Sequence, residues 1–179
     1  MRRVIIVLLG LTVTALAQKR DAPKTSRPNV PAEVIQTVEA IQGTWLGKMT
    51  ANVPGFAPET FAWTMNCKIV AKGSGASCTN SGRASIGSME ESCLLAFDPE
   101  GKAVHYMCVT SMCEVHDHKG HWKANQTIEF EPLRAGMMGQ PIIETLSWHF
   151  PDARTIDKIS EVKLADGNSM HFEFKGQRQ

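Results

Sequence analysis

The residues with the most chemical potential lie together, in Cys113-Glu114-Val115-His116-Asp117-His118-Lys119-Gly120-His121-Trp122. Two local readings fit this stretch. In one, Asp117-His118-Lys119-Gly120 is a hairpin turn with Gly in the left-handed position, which leaves His118 in solvent. In the other, residues 113–122 form one strand and the turn falls at Lys123-Ala124-Asn125-Gln126. That strand places Glu114, His116, His118, Gly120 and Trp122 on one face. Asn125-Gln126, standing before Thr127-Ile128-Glu129-Phe130, favours the second reading. A two-residue corner at Ser111-Met112 then sets Thr110 opposite Cys113, Met107 opposite His116 and His105 opposite His118. Facing residues of an antiparallel pair lie on the same side, about 5 Å apart. His105, His116 and His118 would cluster there, beside Glu114 and Met107. Three such imidazoles could bind Zn²⁺ or Cu²⁺ with one position open, or supply a ligand to haem iron. A register slip of one residue would scatter them. The plainer alternative is a set of exposed, singly hydrogen-bonded histidines on a polar face.

A second candidate is Glu144, which shares an otherwise apolar alternating face with Ile142, Leu146, Trp148 and Phe150. If that face is interior, Glu144 is a polar anchor for a ligand; otherwise it reaches water at the end of the sheet. The chain has five cysteines. Cys67 and Cys78 flank the turn at Lys72-Gly73 almost symmetrically, and Cys93 and Cys108 flank Asp98-Pro99-Glu100-Gly101 likewise. Cross-strand disulfides 67–78 and 93–108 are the first expectation, with Cys113 free. The pairing 78–93 stays open, because five cysteines permit many connectivities. No Cys-x-x-Cys, Gly-x-Ser-x-Gly, His-Glu-x-x-His or phosphate-cradling Gly-rich motif occurs, so the sequence leans away from an enzyme.

The elements that must carry these residues are nearly all strands. Gly43-Thr44-Trp45 opens the first, with Trp45, Gly47, Met49, Ala51 and Val53 pointing one way and Leu46, Lys48, Thr50 and Asn52 the other. Phe61, Trp63, Met65, Cys67 and Ile69 repeat the pattern. So do Met89, Cys93, Leu95 and Phe97, and later Ile142 to Phe150 and Met170, Phe172 and Phe174. A period of two with one apolar face is a half-buried antiparallel strand. Short strands joined by Gly, Pro and Asp turns indicate a meander, and roughly eight to ten of them close a barrel. Before them, residues 31–42 read as a helix. Pro31 suits its first turn, Val34, Val38 and Ile41 share a face, and Gly43 stops it. Such a helix could lie across one mouth of the barrel.

The chain is 179 residues long, enough for one domain with a real core. Arg2 and Arg3, the apolar run Val4 to Leu11 and Ala15-Leu16-Ala17 form a secretory signal over residues 1–17, cleaved after Ala17. The expected location is therefore secreted or periplasmic. The apolar run is too short for a comfortable membrane span and no Cys follows it, so no stable membrane anchor is expected. The formal charge is +1 with the leader and −1 once Arg2 and Arg3 leave, which excludes the basic field of a nucleic-acid binder. Residues 18–30 are a polar, Pro-containing lead-in, and residues 31–176 form a single domain.

The Gly43-x-Trp45 element after a short helix, opening a β meander, resembles the lipocalin and calycin barrels. The resemblance implies an arginine near the last strand that packs across the tryptophan. Arg178, in the polar tail, is the one arginine near the end. Residues 38–176 as a whole resemble a group of secreted bacterial lipocalin-like domains of unknown function. The matching pieces are Gly43-Thr44-Trp45, the corner Thr110-Ser111-Met112, the segment Glu114 to Gly120 and the turn Leu164-Ala165-Asp166-Gly167. Cys113 departs from that pattern, standing where a small residue such as Gly is expected. The resemblance implies an all-β lipocalin-like barrel and lends no established activity. Three functions follow. The first is a barrel that binds a small apolar or amphipathic molecule, lined or plugged by Trp45, Trp63, Trp122 and Trp148 with Glu144 as anchor. The second is a metal or haem protein using His105, His116 and His118. The third is a barrel packed solid by its nine Met and four Trp, acting through protein contacts.

Overall fold

The computed structural model describes residues 30–123, 126–137 and 139–179. The expected signal over residues 1–17 and nearly all of the expected lead-in over residues 18–30 fall outside these residues. Helix α1 (Ala32–Ile41) precedes strands β1 (Gly43–Asn52), β2 (Glu59–Val70), β3 (Gly75–Ala84), β4 (Gly87–Asp98), β5 (Ala103–Thr110) and β6 (Val115–Lys123). There follow β7 (Thr127–Met137), the two-residue β8 (Gln140–Pro141), β9 (Ile143–Asp152), β10 (Thr155–Lys163) and β11 (Ser169–Arg178). Each long strand pairs antiparallel with its neighbour, β11 returns to β1, and β6–β7 and β7–β9 complete the ring. The result is a closed ten-stranded antiparallel barrel with one short helix, a lipocalin-like fold. β8 adds a small flap on the end of β7.

The inner face follows the alternation read from the sequence. Trp45, Phe61, Trp63, Met65, Leu95, Ile128, Phe130, Trp148, Ile156 and Phe174 form the main core under α1, where Val34, Val38 and Ile41 pack against it. A smaller apolar cluster of Ala135, Ile142, Val162 and Met170 sits toward the other end. Ile69, expected inward, is 37% exposed where β2 gives way to the turn before β3.

The helix end and the last strand are joined at the closed end of the barrel. Gly43 has φ +120°, a conformation that makes the corner from helix to strand and suits a residue without Cβ. The Trp45 indole N–H donates to the carbonyl of Ile41 at 2.9 Å. Arg178 lies opposite Trp45 in the β1–β11 register, stacks 4.6 Å over its ring and donates to the carbonyl of Ala40. Two carbonyls that the helix leaves unsatisfied thus find donors. Arg178 belongs to the strand and not to a polar tail, since the pairing runs two residues past the expected end at 176.

All four inward cysteines stand in one cross-strand row: Cys67 faces Cys78, Cys78 faces Cys93, and Cys93 faces Cys108. This register alone would permit the 78–93 bridge. The disulfides are Cys67–Cys78 and Cys93–Cys108, and Cys113 is free and exposed.

Candidate functional site

The histidine strand ends where the favoured reading put its turn, with β6 stopping at Lys123 and β7 starting at Thr127. His116, His118, Gly120 and Trp122 share its inner face, with Glu114 just before it. The corner before β6 is one residue longer than expected. Cys113 has φ +61°, its N–H donates to the carbonyl of Thr110, and the Thr110 N–H donates to the carbonyl of Glu114. Residues 111–113 are therefore a three-residue turn. The register slips by one, so Cys108 faces His116, Tyr106 faces His118, and His105 faces Lys119. His105 is turned to the outer face, with Nε2 3.6 Å from Asp98 and Nδ1 3.5 Å from Asp117. The structure brings together His116 and His118 and leaves His105 apart from them.

What joins the two inner histidines is Glu144. Its Oε2 lies 2.5 Å from His116 Nδ1 and 3.2 Å from His118 Nε2, and the Ser160 hydroxyl donates to its Oε1 at 2.6 Å. His116 Nε2 is 3.6 Å from Glu114, which also accepts from the Thr110 hydroxyl. Glu144 and His116 are each 8% exposed and His118 is 1% exposed. Burial disfavours ionised Glu144, but the donors His116, His118 and Ser160 outweigh it and hold its pKa well below the usual carboxylate range. Burial likewise disfavours charged His116, but the hydrogen bond and charge of Glu144, with Glu114 and Glu91 behind, raise its pKa above the ordinary value. The two groups form an ion pair inside the barrel.

Lys158 lies next to this layer on β10. The phase Ile156, Lys158, Ser160, Val162 points inward. Its Nζ stands 4.7 Å over the Trp148 ring and 5.5 Å over Tyr106, and 3.9 Å from Met65 Sδ. Burial lowers its pKa, against an opposing pull from Glu91 and Glu144. Tyr106 is pushed well above the ordinary phenol value by burial and by those same carboxylates, against an opposing hydrogen bond from Asn80. Its hydroxyl donates to Cys93 Sγ at 3.2 Å, while the Asn80 amide donates to Glu91 at 2.8 Å.

These groups line a cavity of about 130 Å³ inside the barrel. Its apolar wall is made by Phe61, Trp63, Met89, Leu146, Phe172 and Phe174, and its rim by Ser111 and Met112. Of the four tryptophans, Trp63 lines this space. Trp148 is fully buried beneath Lys158, and Trp45 plugs the closed end. Trp122 lies under α1, where its N–H donates to Thr37 at 2.6 Å. For a metal ion, donor atoms must converge. Among the described residues, the group of three with such closeness is Glu91, Cys93 and Cys108, and its two sulfurs are consumed by a disulfide. Ser160 and Lys158 carry only a weak signal in the sequence. The flanking Ile156 and Val162 mark their phase as interior, but Ile159 on the other phase blurs the pattern.

No protein-family model and no curated protein matches the chain by sequence. Solved structures do match in three dimensions. Rv2717c from M. tuberculosis aligns with TM-score 0.63 and 15% identity, over 84% of this chain and 99% of its own. The S-type phycobiliprotein lyase CpeS from Guillardia theta aligns with TM-score 0.58 and 11% identity, over 80% of this chain and 91% of its own. A DUF3598 protein of unknown function from Nostoc punctiforme aligns with TM-score 0.51 and 11% identity, and 53% of its length is covered. At these identities the likeness shows the shared barrel fold.

Proposed function

We propose that this chain is an exported barrel that binds a small amphipathic molecule in its interior. The observation that carries the reading is the layering of the cavity. The apolar side chains Phe61, Trp63, Leu146 and Phe174 line the same space as the ionisable groups His116 and His118 of β6, Glu144 of β9 and Lys158 of β10. Binding sites pair a mostly apolar lining with a few placed polar groups. A barrel serving only as a packed solid gains little from an ion pair in its centre, because desolvation offsets much of the attraction. The phycobiliprotein lyase from Guillardia theta shares the fold; that is support by architecture alone. The two disulfides favour an oxidising compartment, in keeping with cleavage after Ala17.

Native mass spectrometry of the protein purified from its own host tests this. The expected result is a retained small molecule, lost in Met89→Trp, which fills the apolar side of the cavity. A bare mass in the wild type, with no uptake from a library of aromatic and aliphatic amphiphiles, would overturn the reading.

A further inference from the structure

Lys158 is placed unlike the other interior charges. Glu144 and His116 satisfy one another, and Glu91 accepts from Asn80. The Lys158 ammonium instead rests against two aromatic faces and a thioether. Glu91 and Glu144 act on it through space, without a hydrogen bond. The residue lines the cavity between the apolar wall and the ionised layer. A lysine desolvated in apolar surroundings is the arrangement that makes an amine a nucleophile near neutral pH.

We propose that Lys158 captures a small carbonyl compound as a Schiff base. The proposal rests on the cavity being the ligand site described above. The Nζ lone pair attacks the carbonyl carbon and a C–N bond forms. One amine proton moves to the carbonyl oxygen, giving a carbinolamine. The second N–H proton leaves with that oxygen as water, and a C=N bond remains. No oxidant or reductant is consumed. An anionic ligand head is a poorer fit, because Glu91, Glu114 and Glu144 share the same lining. A neutral carbonyl meets no such repulsion. The size of the space, about 130 Å³, resembles apolar cavities known to admit one benzene ring. The ligand class is therefore an aromatic or short-chain aldehyde, its ring or chain set against Phe61, Trp63 and Phe174.

The test uses the intact protein with benzaldehyde and sodium cyanoborohydride at neutral pH, which reduces any imine to a stable benzylamine. Peptide mass mapping then locates the benzyl group. The expected result is labelling of Lys158 in preference to the exposed lysines, because burial lowers its pKa and leaves more of it as free amine at neutral pH. Benzyl alcohol, which fits the same space but has no carbonyl, should slow that labelling. Lys158→Arg should abolish it while circular dichroism shows an intact fold. Should that variant fail to fold, the wild-type peptide map decides alone. Label confined to exposed lysines such as Lys48 and Lys68 overturns the proposal. If benzyl alcohol binds in ligand-observed NMR while Lys158 stays unlabelled, the imine is wrong and the cavity reading survives. If neither compound binds, both fall.

Discussion

The closed end of the barrel and the ionised layer in its middle are built by different physics. At the closed end, fully buried Trp45 is fixed by the helix carbonyl that accepts its N–H and by the Arg178 guanidinium on its face. Those partners are either four residues away along the chain or directly across one strand pair. In the middle, Glu144 gathers donors from β6 and β10, elements that meet only when every intervening register is right. The first region is shape and packing, indifferent to protonation. The second is charge, stable only while its partners hold the right protons. A barrel can thus have one end that defines the container and an interior layer that carries its chemistry.

The largest expected effect tests the first half of that contrast. Trp45→Ala removes a large side chain from a site with no exposure, together with a helix-end donor and an aromatic face for Arg178. Large-to-small changes of this kind cost about 3–5 kcal/mol. Chemical denaturation at pH 5.5 and pH 8 should show the same loss at both. A loss that differed between them would mean that the closed end and the charged layer are coupled.

Glu144→Gln comes next and tests the other half. It keeps the shape and removes the charge that three donors address; hydrogen bonds to a buried charge contribute about 1.5–3 kcal/mol. Its signature is in the pH profile. The folded pKa of His116 is raised, so the stability it contributes is full below the ordinary value of 6.5 and is lost as pH rises through the higher folded value. The folded pKa of Glu144 is lowered, so its contribution is full above the ordinary 4.5 and is lost as pH falls toward the folded value. The wild type should be most stable between those two ordinary values, 4.5 and 6.5. Glu144→Gln should flatten both slopes, as denaturant midpoints measured across pH would show. Unchanged slopes would place the pH response outside this layer.

The same contrast decides what could be read from the sequence. The closed end was legible because its signals are local: Gly43-x-Trp45, the helical face Val34, Val38 and Ile41, and strict alternation along β2 and β9. Both disulfides were legible for the same reason, since each pair flanks one turn. The ionised layer was only half legible. Glu144 stands out as a carboxylate on an apolar face, and His116 and His118 share a face once residues 113–122 are read as one strand. His105 was misplaced because its position depended on one turn residue. Cys113 in a left-handed conformation lengthens that corner and moves the whole of β5 by one place against β6. The signal was present, in a cysteine standing where a small residue was expected. Arg178 reads as tail because nothing apolar follows it, yet its partner Trp45 lies directly across the strand pair in space and at the other end of the sequence. β3 (Gly75–Ala84) leaves little trace in the sequence because its inward positions are small or polar. Cys78 and Asn80 bury there without the large apolar residues that mark a strand.

Arg178→Met is the smallest expected change and the sharpest test of how the closed end is held. Methionine keeps much of the side-chain length over the Trp45 ring but removes the cation and the donor to Ala40. A partly exposed cation–aromatic contact is worth about 0.5–1 kcal/mol, and a hydrogen bond to a helix-end carbonyl about 1 kcal/mol. The expected loss is therefore about 1–2 kcal/mol, independent of pH, with earlier hydrogen exchange in α1 than in the strands. Arg178→Lys should recover the charge without the planar fork, and so regain only part of the loss. If Arg178→Met left both stability and helix exchange unchanged, Trp45 alone would hold the helix to the barrel, and the strand end at Arg178 would be a lid resting on a site already closed.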